Sequence, residues 1–254
     1  MTSPRRVGLL GGMFDPIHCG HLDVSAAAER ALHLTDLLLL PSNIPPHRPQ
    51  PIASSHHRFA MVAMAIGGRR GWRAVDLELE LREAVPSYTS ETMRRFHQRG
   101  FSPSELFFIT GADAFLEIGT WHQYPDVLDL AHFAVVSRPG VPVSCLRERL
   151  PALAPRMRQV DAADGDTVRL KADPTYAGDG TDETFIFLID AATADVSSTA
   201  IRRARQAHQS ITGLVPGSVR QHIEQHGLYA DSTPATGTPP GLPGVAAGRL
   251  HGQD

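Results

Sequence analysis

Two histidines and a glycine turn lie close together near the amino terminus, in the segment Gly11-Gly12-Met13-Phe14-Asp15-Pro16-Ile17-His18-Cys19-Gly20-His21. The segment follows the apolar run at residues 7–10 and precedes an alanine-rich stretch of helical period, so it predicts a turn between a strand and a helix. Glycine lets the backbone approach a ligand closely, and the free N–H groups in the first turn of a helix favour anions. Since His18 and His21 are three residues apart and share a helix face, the segment predicts a phosphate-binding turn.

Three alternatives to phosphate binding can be weighed on the residues of this segment. In the simplest one, the two histidines are exposed polar residues of an ordinary turn. A zinc site on His18 and His21 would need more ligands, and Cys19 and Asp15 are too close in sequence to complete a tetrahedron. A dinucleotide-binding turn would show G-x-G-x-x-G and an acidic residue roughly 20 positions on, and the segment has neither. Phosphate binding by the backbone and the paired imidazoles is therefore favoured.

The first motif resembles the G-G-x-F-D-P-x-H-x-G-H pattern of the nucleotidyltransferase superfamily, which transfers adenylyl groups from ATP to a phosphate. A second segment, Val196-Ser197-Ser198-Thr199-Ala200-Ile201-Arg202, is similar to the superfamily's I-S-S-T-x-I-R pattern. Within the superfamily, the length and the other motifs look like those of the bacterial nicotinate mononucleotide adenylyltransferases. Met13 departs from the family pattern, because many members have Thr or Ser there.

The resemblance implies one ATP site made by both motifs. His18, His21 and Arg202 would be catalytic, with His21 stabilising charge at the α-phosphate and Arg202 holding the β- and γ-phosphates together with the hydroxyls of residues 197–199. The full set of implied ATP contacts is Gly11, Gly12, Phe14, His18, His21, Gly111, Ser197, Ser198, Thr199 and Arg202. Mg²⁺ is expected to arrive on the ATP phosphates, without a metal ligand from the protein.

The resemblance also implies an acceptor site for nicotinate mononucleotide, with the candidate residues His47, Arg48, Thr89, Asp113, Trp121 and Tyr124. His47 and Arg48 end a proline-rich loop that would lie over phosphates. Thr89 opens a helix and would receive the nicotinate carboxylate, as a helix N-terminus suits a small anion. Asp113 would approach the ribose, and Trp121 would stack on the pyridine ring. A surface turn, helix caps and core packing remain ordinary structural alternatives for these residues.

Apolar runs alternate with helical patterns along most of the chain. They predict strands at residues 7–10, 36–40, 72–79, 106–109, 132–136 and 185–189. A late helix should bury Ala200, Ala204, Ala207 and Ile211. This alternation predicts an α/β fold: a Rossmann-like, doubly wound, mostly parallel sheet with helices on both faces. Ligands of such sheets bind beyond the carboxyl ends of the strands, where the polar motifs lie.

Composition limits the remaining possibilities. The 254 residues carry a formal net charge of −3 and two cysteines, so neither a nucleic-acid surface nor a disulfide framework is expected. We expect no membrane span, a cytoplasmic location, and a catalytic domain over residues 1–230, with a variable connection at 139–182 and a flexible tail at 231–254. The partners would be ATP and nicotinate mononucleotide, and the oligomeric state stays open, a homo-oligomer included.

Two rival functions share these motifs. Pantetheine-phosphate adenylyltransferases have the first and last motifs, although they are typically much shorter. A non-catalytic module could use the same crevice to sense a nucleotide, and it would bind ATP without releasing pyrophosphate.

Overall fold

Seven parallel strands form one sheet in the computed structural model, which describes residues 5–43, 50–79, 86–160 and 183–230. Along the sheet, the strand order is β3-β2-β1-β4-β5-β7-β6. The order reverses between β1 and β4, which are neighbours in space. The strands are β1 (Val7–Gly12), β2 (Asp36–Pro41), β3 (Trp72–Ala74), β4 (Leu106–Gly111), β5 (His132–Val136), β6 (Met157–Val160) and β7 (Ile186–Ile189).

Helices cover both faces of this sheet, as the sequence predicted. Side chains alternate along the strands, so Phe107 and Phe187 enter one apolar core while Phe108 and Phe133 enter the other. The helices are α1 (Cys19–Leu32), α2 (Ser55–Ala65), α3 (Thr89–Gln98), α4 (Ala112–Phe115), α5 (Leu146–Arg149), α6 (Ser198–Gln206) and α7 (Gly217–Gln225). Short 3₁₀ turns lie at Pro103–Glu105, Ile118–Thr120, Asp126–Asp129, Val143–Cys145 and Pro151–Arg156. The predicted doubly wound α/β fold is confirmed.

The first strand, turn and helix form as their residue types dictate. In β1, Val7 and Leu9 are buried, and the strand ends in Gly11 and Gly12. The buried side of α1 includes Ala27, Ala28 and Ala31, whose small side chains let the helix lie close to the sheet. The helix ends at His33, which adopts the left-handed conformation with φ of 50°.

Two strand predictions differ from the structure. The third strand is shorter than predicted, because Asp76 to Leu79 form a turn closed by a hydrogen bond from the Leu79 N–H to the Asp76 carbonyl. The predicted variable connection at 139–182 contains an edge strand, β6, beside β7. Its two central residues, Arg158 and Gln159, are polar, so the apolar pattern was too weak to reveal it. Residues 161–182 and 231–254 lie outside the described residues.

The buried face predicted for the late helix was wrong in part, although Ala204 is partly buried against the apolar core as expected. Within α6 the buried residue is Ile201, whereas Ala200 is exposed. Ala207 is exposed at the end of the helix, and Ile211 is buried but lies beyond it. The helix packs mainly by its one large apolar side chain, which removes more apolar surface from water than alanine can.

Among the residues that the structure describes, no helix combines the length and apolarity needed to cross a bilayer.

His132, at the start of β5, is a buried imidazole with a defined partner. Its Nδ1 accepts a hydrogen bond of 2.9 Å from the Phe185 N–H, which joins β5 to the beginning of β7. Burial, followed by the nearby charge of Arg6, lowers the pKa of His132 to about 4. The ring is therefore neutral in the folded protein at pH values where an unfolded histidine is protonated.

We expect His132 to make the protein acid-sensitive. Its folded pKa of about 4 lies below the ordinary histidine pKa of 6.5, so unfolding takes up a proton between these pH values. The free energy of unfolding should therefore fall as the pH drops from 6.5 to 4. His132→Asn keeps an acceptor for the Phe185 N–H and should reduce proton uptake on unfolding near pH 5 by about one. Urea unfolding across this pH range measures the slope. An unchanged slope in His132→Asn would contradict this account, and His208→Asn, at an exposed position, is the control.

Candidate functional site

A cleft of about 540 Å³ opens at the carboxyl ends of β1 and β4, where the strand order reverses. Such a crevice is the usual ligand site of an open parallel sheet. Its lining includes most of the residues singled out from the sequence, namely Gly11, Gly12, Phe14, His18, His21, Thr89, Gly111, Asp113, Trp121, Ser197, Ser198, Thr199 and Arg202. The two motifs, about 180 positions apart in the chain, thus face one cavity.

Three predicted site residues are not part of this lining. Tyr124 is 38% exposed and lies outside the cleft wall, although Trp121, three residues earlier, is in it. His47 and Arg48 lie outside the described residues. The described cleft therefore contains the predicted ATP residues completely and the predicted acceptor residues in part.

His18 and His21 lie against each other at the beginning of α1. Their rings are stacked with centroids 3.7 Å apart, and the Phe14 ring is nearly perpendicular to that of His21, with centroids 5.1 Å apart. His18 is the N-cap residue, and its backbone N–H donates to Nδ1 of His21 at 3.3 Å. Because Nδ1 of His21 accepts this bond, the proton of the neutral ring belongs on Nε2. His21 is thereby oriented by the helix cap with an N–H group at its far end.

His18 differs from His21 in its surroundings. It is almost fully buried, and its Nδ1 has no hydrogen-bond partner among the described residues. Burial, followed by the positive charge of Arg138, lowers the pKa of His18 to about 4. His18 is therefore neutral near pH 7, with an unpartnered ring nitrogen beside the cleft.

The polar side chains of the second motif line the cleft and also make hydrogen bonds within the protein. Ser197 caps α6 by accepting a hydrogen bond from the Ala200 N–H at 3.2 Å, and Ser198 donates to the Pro16 carbonyl at 2.9 Å. Thr199 Oγ1 accepts from Arg202 at 3.2 Å. The same Arg202 guanidinium donates to the Asp15 carbonyl at 2.7 Å. Ser198 and Arg202 thus join α6 to the first motif.

A buried carboxylate, Asp15, holds the turn between β1 and α1. Its Oδ2 accepts from the Ile52 N–H at 2.8 Å, and its Oδ1 accepts from the Ala53 N–H at 3.0 Å and the Tyr229 hydroxyl at 2.7 Å. Burial, followed by the charge of Asp15, raises the pKa of Tyr229 far above its usual range, so Tyr229 remains a donor. These bonds connect the turn to the segment before α2 and to the residues after α7.

Arg58 of α2 is a second buried residue that supports the turn. Its guanidinium donates to the Met13 carbonyl at 2.8 Å and to the Ser42 carbonyl at 2.7 Å. These bonds join the ends of β1 and β2. Burial lowers the pKa of Arg58, while the nearby Asp15 carboxylate acts in the opposite direction.

The opposite wall of the cleft is formed by the beginning of α3 and by Trp121. The N-cap of α3, Tyr88, makes no side-chain capping bond, so the helix presents its first N–H groups beside Thr89. Trp121 packs edge-on against Phe108, with ring centroids 5.8 Å apart. Glu78 also lines this wall. Burial raises its pKa above the ordinary range, and Thr92 donates to it at 2.6 Å.

Arg138 and Glu78 are cleft residues that the sequence analysis missed. Arg138 follows β5 and Glu78 follows β3, so both stand beyond the carboxyl end of a strand. That position was the available signal, but the predicted third strand ran through Glu78 and concealed it. Two glycines lie close to Arg138. A Cβ atom on Gly111 would crowd Asp113 Oδ1 and lie 2.9 Å from Arg138 Cγ, and one on Gly20 would lie 3.0 Å from the Arg138 guanidinium and 3.1 Å from the Ala194 carbonyl oxygen.

The acidic side chains of the described cleft lining are Asp15, Glu78 and Asp113. Asp15 already accepts three hydrogen bonds, Glu78 accepts from Thr92 and Ser87, and Asp113 is exposed. Because Mg²⁺ prefers oxygen ligands and usually keeps several waters, this set does not form a protein-held magnesium cage. It is compatible with a metal ion that arrives on substrate phosphates.

Comparison with known sequences gives a consistent result. Residues 9–204 match the family model described as cytidylyltransferase-like. A probable nicotinate-nucleotide adenylyltransferase of Cronobacter sakazakii is 42% identical over 221 residues, which cover 86% of this chain and 93% of the relative. A protein of the same description from Desulfatibacillum aliphaticivorans is 37% identical and covers 88% and 99%, respectively.

Comparison with solved structures supports the fold. The nicotinic acid mononucleotide adenylyltransferase of Plasmodium falciparum, complexed with NaAD, has a TM-score of 0.60 and 16% sequence identity. The similarity covers 89% of this chain and 97% of that one. A putative nicotinate-nucleotide adenylyltransferase from Vibrio parahaemolyticus has a TM-score of 0.53 and covers 90% and 97%.

The Asp15 network predicts an unequal response of two tyrosines. Tyr229→Phe removes a buried hydrogen bond to a carboxylate and should lower the free energy of unfolding by ~1.5–3 kcal/mol. Tyr124→Phe removes an exposed hydroxyl and should change it by less than ~0.5 kcal/mol. Urea unfolding of both variants measures the difference. Equal effects would show that the Tyr229 hydroxyl does not stabilise the turn.

Proposed function

Because the chain belongs to the cytidylyltransferase-like family, and within it to the nicotinate-nucleotide adenylyltransferases, we propose that it transfers the adenylyl group of ATP to nicotinate mononucleotide. The products are nicotinate adenine dinucleotide and pyrophosphate. One observation carries the proposal: both phosphate-binding motifs line a single cleft that faces the N-terminus of α3 and Trp121. A triphosphate and a carboxylate-bearing acceptor can therefore be held in one cavity.

The reaction needs no protein nucleophile. A phosphate oxygen of the acceptor attacks the α-phosphorus of ATP, the bond to the bridging oxygen of the β-phosphate breaks, and pyrophosphate leaves with that electron pair. A phosphate monoester is largely ionised at neutral pH, since its second pKa is about 6. The protein accelerates the reaction by aligning the two phosphates and by stabilising the charge that develops between them.

The first motif supplies hydrogen-bond donors at the α-phosphate. With Nδ1 of His21 accepting from the helix cap, its Nε2–H is the group that faces substrate oxygens. His18 is neutral at pH 7 and adds a hydrogen-bond donor. Because it carries no positive charge, it does not add a Coulombic attraction that would stabilise the bound ground state as much as the transition state. The N-terminus of α1 contributes its partial positive charge in the same direction.

The second motif supplies the positive charge for the departing pyrophosphate. Arg202 is held by Asp15 and Thr199, so its guanidinium is positioned before substrate arrives. Together with Thr199 and the first N–H groups of α6, it would bind the β- and γ-phosphates. Mg²⁺ bound to the ATP phosphates would neutralise part of their charge, and no ligand from the protein is proposed for it.

The acceptor half of the cleft supports binding of a pyridine carboxylate. The first N–H groups of α3 and the Thr89 hydroxyl match a small anion. The Trp121 ring offers a flat apolar surface for the pyridine, and Asp113 offers an acceptor for ribose hydroxyls. His47, Arg48 and Tyr124 remain proposed contacts of the acceptor, although Tyr124 is not part of the described cleft lining. We also propose that the reaction takes place in the cytoplasm.

The proposed function is tested by pyrophosphate release with three acceptors. Purified protein with MgATP should release pyrophosphate with nicotinate mononucleotide, and kcat/KM should be lower with nicotinamide mononucleotide because it lacks the carboxylate. Release with phosphopantetheine alone would instead support the pantetheine-phosphate activity. ATP binding without release in any of the three would indicate a nucleotide-sensing module.

His21 is the side chain whose removal should affect the chemical step most. His21→Ala should lower kcat by ~10²–10³, the usual effect of losing one preorganised donor to a developing anion. His21→Gln can place an amide N–H near the Nε2 position and should lose less. His21→Asn can keep the bond from the His18 N–H without reaching the phosphate, and should resemble alanine.

This series separates catalysis from helix capping. Steady-state kinetics give kcat, and thermal unfolding reports whether each variant remains folded. If capping were the only role of His21, Asn would preserve activity better than Gln. Wild-type turnover in folded His21→Ala would exclude His21 from the mechanism.

A further inference from the structure

Three histidines converge outside the nucleotide cleft, at the contact between α2 and α7. They are His57 of α2 and, from α7 and its C-terminal end, His222 and His226. One nitrogen of each ring lies within 4.8 Å of a nitrogen of both others. Among the described residues, this is the one group of three or more His, Cys, Asp or Glu side chains with such spacing. None of the three lines the cleft, so the nucleotide chemistry does not account for them.

The spacing of these rings follows from the two helices. His222 and His226 are four residues apart and therefore stand on one side of α7, with ring centroids 4.4 Å apart. His57 faces them from α2, with its centroid 5.2 Å from His222 and 4.9 Å from His226. Two imidazoles one helical turn apart and a third from another element are a common ligand arrangement for transition metals.

We propose that His57, His222 and His226 form a binding site for a late first-row transition-metal dication, with Zn²⁺ as the occupant. Imidazole nitrogen suits Zn²⁺, whereas Mg²⁺ and Ca²⁺ prefer oxygen. Bond lengths of 2.0–2.1 Å place the ligand nitrogens of a tetrahedral site about 3.4 Å apart. Small side-chain rotations bring the three nitrogens from within 4.8 Å to that separation, and water completes the fourth position.

A plain hydrogen bond explains only part of this cluster. His57 Nδ1 and His222 Nε2 are 3.0 Å apart, which one shared proton accounts for. That bond involves two rings, yet a third converges on them from the end of α7. When a metal ion binds, the donor ring of this bond loses the shared proton to solvent and takes one up at its other nitrogen. All three rings then bind the metal as neutral imidazoles.

The helices that carry the ligands are already fixed relative to each other. Val219 and Ile223 of α7 and Met61 of α2 are buried in the same apolar core. Ser218 donates to the Met64 carbonyl at 3.1 Å, adding a polar link. The site is therefore largely formed before the metal binds, which lowers the conformational cost of binding.

The consequence of metal binding would be mechanical support for the nucleotide cleft. His57 precedes Arg58, which holds the Met13 and Ser42 carbonyls. The residues after α7 lead to Tyr229, which donates to Asp15. A metal between α2 and α7 would thus secure two of the supports of the first motif without touching substrate.

Cobalt binding tests the site independently of enzymatic activity. Untagged, chelator-treated full-length protein is titrated with Co²⁺, and visible absorption reports nitrogen coordination. We expect one Co²⁺ per chain. His222→Gln and His226→Gln should each weaken binding by at least ~10–100-fold, the effect already typical of losing an outer-shell partner. His56→Gln, an exposed neighbour of His57 on the same helix, is the matched control and should bind normally.

Two further measurements distinguish this metal site from the nucleotide cleft and from simple pairing of histidines. His21→Ala should bind Co²⁺ as the wild type does, because the cleft is a separate site. X-ray absorption of the Zn²⁺-loaded wild type should show three imidazoles at about 2.0–2.1 Å. Zn²⁺ should raise Tm in the wild type and His56→Gln but not in His226→Gln. Fewer than three imidazoles, or Co²⁺ affinity unchanged in both His222→Gln and His226→Gln, would overturn the proposal.

Discussion

The buried carboxylate of Asp15 is the interaction on which the architecture of the cleft depends. It accepts hydrogen bonds from the backbone before α2 and from Tyr229 after α7, while its own carbonyl accepts from Arg202 of α6. Segments from the beginning, the first third and the end of the described chain therefore meet at one residue. A buried carboxylate is costly unless its oxygens are satisfied, so the surrounding donors constrain the turn strongly. The backbone that is proposed to bind phosphate is held in place by this requirement.

Rigid support of this kind suits the proposed reaction. Adenylyl transfer involves two anionic substrates, and donors that are already oriented stabilise the developing charge without reorganisation. His21 is oriented by the His18 N–H, and Arg202 by Asp15 and Thr199. The left-handed conformation of Phe14, with φ of 46°, is an unfavourable backbone state that the packed surroundings maintain. Stability elsewhere in the fold offsets this local strain.

Positive charge and neutral donors have separate places in the cleft. Arg202 and Arg138 are cationic, whereas burial keeps His18 neutral near pH 7. The proximity of Arg138 contributes to that neutrality, because two positive groups at this distance disfavour each other.

The proposed zinc site lies between α2 and α7, which lead to Arg58 and Tyr229, the two residues that support the first motif. The hydrogen bonds of Asp15 and the metal ion would then both stabilise the turn between β1 and α1.

Local sequence patterns determined several of the helices, most of the strands and the two motifs proposed to bind phosphate. These features depend on neighbouring residues: the apolar run of β1, the glycines after it and the period of α1 are readable within some twenty positions. Motif spacing also placed His21 in the first turn of α1, whereas Arg202, predicted in the first turn of its helix, is the fifth residue of α6. The strand β6 was not predicted because Arg158 and Gln159 interrupt its apolar pattern. A strand at the edge of a sheet is less buried than a central one, so it can form with fewer apolar residues.

Only the tertiary structure decided which distant groups meet. From the sequence, Tyr124 and Trp121 were equally good candidates for the acceptor site. In the folded chain, Trp121 is part of the cleft wall and Tyr124 is exposed. Arg138, Asp15 and Tyr229 acquire their roles through contacts across the fold. The convergence of His57 with His222, 165 positions later, is likewise a product of helix packing. A residue's own neighbours in sequence fix its local conformation, whereas burial and long-range partners, which set its chemistry, arise only when the sheet brings remote segments together.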